Sequence, residues 1–98
     1  MIFTLYFTPS AKQILSDLKR SPSLEKHFKA VSKALGYLAS NPKHPGLQTH
    51  KHRSLRGPQG QEIFEAYAEQ NTPAAYRIFF YYGPQKREIT IFTITPHP

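Results

Sequence analysis

The sequence predicts an α+β fold, an antiparallel sheet of about four strands with an N-terminal helical hairpin packed on one face. Three patterns lead there: an aromatic, strand-like opening, an apolar stripe of helical period between residues 24 and 38, and three strand-like runs separated by two turn signals after residue 60. With 98 residues there is room for one modest core, so one domain over residues 1–98 is expected.

Residues 2–7, rich in Ile, Phe, Thr and Tyr, read as the first strand. Thr8 is then a fitting N-cap and Pro9 a fitting first helical residue, with Ala11, Ile14, Leu15 and Leu18 along one helical face. "KRSPS" interrupts this helix, and Ser21 with Pro22 restarts the chain into a second one. In that helix Leu24, Phe28, Val31, Leu35 and Leu38 recur at helical spacing, the strongest structural signal in the chain. Asn41-Pro42 ends it, so residues 9–40 form two helices joined by a short turn.

Residues 41–60, "NPKHPGLQTHKHRSLRGPQG", are dense in proline, glycine and basic residues and read as loop with at most a short extended piece. "QEIFEAYAE", "AYRIFFYY" and "EITIFTIT" follow as strands, joined through "QNTPA" and "GPQKR" into an antiparallel meander.

Alternate strand residues point to opposite sides of a sheet, which sorts the meander into two faces. Phe64, Ile78, Phe80, Phe92 and Ile94 form the better apolar set and are expected beneath the helices. Glu65, Tyr67, Arg77, Phe79, Tyr81, Thr93, Thr95 and, if the strand continues, His97 fall on the other side. Cations, hydroxyls and aromatic planes on one surface are what single-stranded nucleic acid requires for phosphate neutralisation and base stacking.

Thirteen Lys and Arg against six Asp and Glu give a net charge of +7, which favours a polyanionic partner, nucleic acid or acidic protein. The chain has no cysteine, which excludes disulfides and thiolate metal sites and fits a reducing, cytoplasmic compartment. The opening apolar run is too short for a membrane span and lacks the basic flank of a signal peptide. In "HKHR", His50 and His52 would point the same way in an extended segment, but no third ligand has an obvious spacing. Neither a metal nor an organic cofactor is expected.

Taken in order, "FTPSAKQILSDL", "SLRG", "IFEAYA", "YRIFFYY" and "ITIFTITPH" resemble the successive motifs of the RelE/ParE superfamily of bacterial toxins, over nearly the whole chain. Tyr67 stands where that pattern usually has Arg or Lys. The resemblance to RelE- and YoeB-like members implies metal-independent cleavage of mRNA on the ribosome, by attack of a ribose 2′-hydroxyl on the adjacent phosphate. It implies that Arg77 stabilises the phosphate and that His97 donates the proton to the leaving oxygen. Arg56, Lys51 and Arg53 would contact RNA, with Tyr67 and Tyr81 beside them. It further implies a cognate antitoxin protein as partner. A ParE-like inhibitor of DNA gyrase and a non-catalytic RNA- or protein-binding member remain alternatives, and the alternative reading of Arg77 is a surface strand arginine paired with Glu65 or Glu88.

Overall fold

The structure, a computed structural model, describes residues 2–72 and 74–96. Strand β1 (Thr4–Phe7) leads into helices α1 (Pro9–Arg20) and α2 (Glu25–Ser40), with a 3-10 turn at Pro22–Leu24 between them. After a second 3-10 turn at Pro45–Leu47 come β2 (His50–Arg56), β3 (Glu62–Tyr67), β4 (Tyr76–Tyr82) and β5 (Glu88–Pro96). The sheet order is β1-β5-β4-β3-β2.

Two features of this sheet depart from expectation. It has five strands, because residues 50–56, read from the sequence as loop, pair with β3 along the edge. An edge strand exposed on most of its length needs no apolar alternation, and basic residues there discourage further pairing, so β2 carries the composition of a loop. The sheet is also mixed: β1 runs parallel to β5 while the other pairs are antiparallel. Side-chain alternation is the same for either direction and could not have distinguished them.

The helical hairpin lies on one face as its periodicity requires. Thr8 caps α1, its hydroxyl oxygen accepting the Ala11 N–H at 3.1 Å. Ala11 and Leu18 of α1 and Val31, Ala34, Leu35 and Leu38 of α2 are buried in one cluster with Ala66, Ile78, Phe80, Ile89, Ile91 and Ile94 of the sheet. Leu24 and Phe28 are partly buried at its rim. Each large side chain taken fully out of water contributes about 1.5 to 3 kcal/mol, so this layer dominates the stability of the fold.

One expected core residue is replaced. Between Phe79 and Phe80 the pairing of β4 with β5 shifts by one, and Phe92 is the extra residue of the bulge. The shift reverses the alternation beyond it, so Ile91 and Ile89 turn inward, opposite Phe80 and Tyr82, while Phe92 stays half-buried near the Tyr81 ring at 6.5 Å. The helix cap fastens this irregularity. The Thr8 hydroxyl donates to the Phe92 carbonyl at 2.8 Å, and the Thr8 N–H donates to the Ile91 carbonyl at 3.1 Å.

Candidate functional site

The face of the sheet turned away from the helices carries a cluster of charged and aromatic side chains on β2, β3 and β4. Register places it: Tyr67 stands across from Arg77, Glu65 across from Phe79, and on the other side of β3 His50 across from Glu65 and His52 across from Ile63. All of these therefore share one face.

At its centre is the Glu65 carboxylate, nearly buried, with different partners on its two oxygens. Arg77 Nη1 donates to Oε2 at 2.7 Å, and His50 Nε2 lies 3.3 Å from Oε1. The Arg77 guanidinium also rests over the Tyr67 ring, 4.3 Å from its centroid. His50 approaches the same ring edge-on at 5.7 Å, and His52 lies 5.6 Å from Phe79. Held from beneath by an aromatic plane and at one side by a carboxylate, Arg77 has a fixed position. Its Nε is buried without a partner, so one donor of the fork remains uncommitted.

Beside this cluster, along the outer edge, His50, Lys51, His52, Arg53, Arg56 and Glu62 line a cleft of about 570 Å³. Lys51 Nζ pairs with Glu62 at 2.7 Å, and this hydrogen bond and charge hold the Glu62 carboxyl below the ordinary carboxylate range, with Arg56 adding to the effect. Arg56 is exposed and turns its guanidinium back on its own strand, donating to the Leu55 carbonyl at 2.9 Å.

The residues singled out in the sequence thus divide. Arg77 and Tyr67 meet at the cluster, and Arg53 and Arg56 line the adjoining cleft. Lys51 lines the same cleft, but from a position opposite Phe64 on the helix-packed side of the strand rather than on the Arg77 face. Tyr81, expected as an exposed stacking ring, is only 9% accessible, because Phe92 and its neighbours close over that end of the face. His97 lies outside the described residues; Thr95 is the residue directly across from Arg77. Glu65 enters as the alternative pairing partner of Arg77, and the predicted alternative partner Glu88 instead accepts from the Tyr6 hydroxyl. His50, weighed in the sequence as a metal ligand or as part of a basic RNA-facing or solvated loop and given no role in the chemistry, is the residue missed. Its signal was the "HKHR" spacing, which is meaningful once the segment is a strand. Among the described residues no three His, Cys, Asp or Glu side chains gather closely enough to hold a metal ion, and no described helix is long and apolar enough to cross a membrane.

No family model and no curated protein matches the chain in sequence. Solved structures match it in fold. The archaeal RelE-RelB complex from Pyrococcus horikoshii OT3 aligns over 98% of this chain and 96% of that one, with a TM-score of 0.66 and 15% identity. The YoeB/ParE toxin from Agrobacterium tumefaciens aligns over 98% and 100% respectively, with a TM-score of 0.69 and 9% identity. The YoeB dimer from Staphylococcus aureus aligns over 100% of both chains, with a TM-score of 0.63 and 13% identity. The chain shares its fold with these RelE, YoeB and YoeB/ParE structures.

Proposed function

We propose that this protein is a toxin of the RelE/YoeB kind that cleaves mRNA on the ribosome without a metal, by attack of a 2′-hydroxyl on the neighbouring phosphate. The observation that carries this reading is Arg77, held by Glu65 and Tyr67 on the helix-free face beside a basic cleft, within this fold. The reaction adds negative charge to the phosphorane oxygens, and a prepositioned guanidinium meets it without reorganisation. Tyr67 offers a ring to a neighbouring base, and Arg53 and Arg56 offer charge to the flanking backbone. A net charge of +7 also suits an acidic antitoxin, and the likeness to a RelE-RelB complex supports a protein partner of that type.

The test is induction in cells with mapping of new mRNA 5′ ends, with and without translation. Wild type should cut translated messages, and Arg77→Ala should slow cutting on the order of a hundredfold or more. Translation left intact while DNA supercoiling changes would replace this reading with gyrase inhibition.

A further inference from the structure

We propose that His50 is the proton donor to the leaving oxygen in this cleavage, positioned and charge-balanced by Glu65; the inference rests on the ribonuclease reading above.

Its ground is the hydrogen-bonding of the ring. His50 Nδ1 lies 2.9 Å from the Gln48 carbonyl, which can only accept, so Nδ1 carries a hydrogen. The other ring nitrogen, Nε2, lies 3.3 Å from Glu65 Oε1, close enough to pair in charge but not aimed at it as a hydrogen bond, so its own donor direction is left for a substrate. A proton on Nε2 converts the contact into an ion pair. An imidazolium there, the form a general acid needs, would have the Glu65 carboxylate at hand as counter-charge.

The local backbone keeps this arrangement. Gln48, which supplies the carbonyl, sits in the left-handed region at φ 48°, uncommon for a residue with a side chain. Thr49 is tied down beside it, its hydroxyl donating to the Pro42 carbonyl at 2.8 Å. The His50 side chain is 48% exposed while that of Glu65 is 8% exposed. A substrate can reach the ring, and the carboxylate acts on substrate only through it. The charged groups facing the ring are Glu65, whose other oxygen holds Arg77, and Arg77 itself beyond it. The Arg77 side chain is itself 21% exposed, so a phosphate held by its accessible part would share this cluster with the donor.

The step balances as follows. The 2′-oxygen forms a bond to phosphorus as its proton passes to solvent water, and the bond from phosphorus to the 5′-oxygen breaks. Nε2 gives its proton to that oxygen, and the neutral imidazole regains one from solvent. The products are a 2′,3′-cyclic phosphate end and a 5′-hydroxyl end.

A leaving group that needs no proton tests the assignment. Ribosome complexes are prepared with an mRNA cut at a mapped position and with the same mRNA carrying a bridging sulfur in place of the scissile 5′-oxygen. His50→Gln should slow cleavage of the oxygen substrate on the order of a hundredfold or more and leave the sulfur substrate within a few-fold of wild type. Glu65→Gln should shift the two rates in the same sense but less. The sulfur substrate doubles as a check that the variants fold and bind. Equal slowing of both substrates by His50→Gln, or none, overturns the assignment, as does selective loss of the oxygen rate in His97→Ala alone. Wild type that cuts neither substrate removes the ribonuclease reading and this inference with it, whereas wild type that cuts normally beside an unaffected His50→Gln removes only the inference.

Discussion

On the helix side of the sheet, Ile78, Phe80, Ile89, Ile91 and Ile94 meet Leu18, Val31 and Leu38, and every contact is apolar and close-packed. On the opposite side, Glu65, Arg77, Tyr67 and His50 meet through charge, ring planes and directed donors. The first layer requires volume and period, and many sequences satisfy it. The second requires particular atoms, since a methylene too few or a donor turned away leaves a nearly buried carboxylate without its partner. A sheet with one face of each kind separates the residues that hold the fold from those that act on it.

That separation can be broken most severely from the apolar side. Ile91→Ala should cost about 2 to 5 kcal/mol of stability, whereas Phe92→Ala, at the outward bulge, should cost clearly less, both read from chemical denaturation. Equal costs would mean that β5 carries no bulge at Phe92. On the polar side, Glu65→Ala should cost about 2 kcal/mol by leaving Arg77 without its counter-ion. Adding Arg77→Ala to it should cost less than the sum of the two single changes, which a double-mutant cycle measures. Additive costs would make the pair irrelevant to the fold. The smallest effect belongs to the exposed edge. Lys51→Ala should let the Glu62 pKa rise toward 4.5, followed by NMR titration of the carboxyl. Because Glu62 is depressed in the folded protein, its contribution is present above its unfolded pKa and fades as pH falls through the folded one, so Lys51→Ala should be felt near neutrality and not in acid.

What could be read in the sequence follows the same division. The helices, the Thr8 cap, the meander and the face shared by Glu65, Tyr67 and Arg77 all follow from period and capping chemistry, which are local. Three things escaped because they are not. β2 was hidden since an exposed edge strand has no apolar alternation to display, and without a strand there was no parity to put Lys51 on one face and His50 on the other. The Phe92 bulge inserts one residue without changing composition, so alternation carried past it exchanged Phe92 for Ile91. The direction of β1 depends on which strand it meets, and that strand lies at the far end of the sequence.

This last pairing bears on how the protein emerges during synthesis. Thr8 and the Phe92 carbonyl that it binds are 84 residues apart, and closing a loop of that length costs roughly 4 kcal/mol before any contact offsets it. The Arg77–Glu65 contact spans only 12 residues and needs no more than the β3–β4 hairpin. A nascent chain can therefore assemble the polar pair early, while β1 and the exposed edge of β4 wait for β5 to clear the ribosome. Until then the aromatic and aliphatic side chains of β4 have no strand on one side, and the chain is exposed to misassociation for as long as β5 is not yet in place.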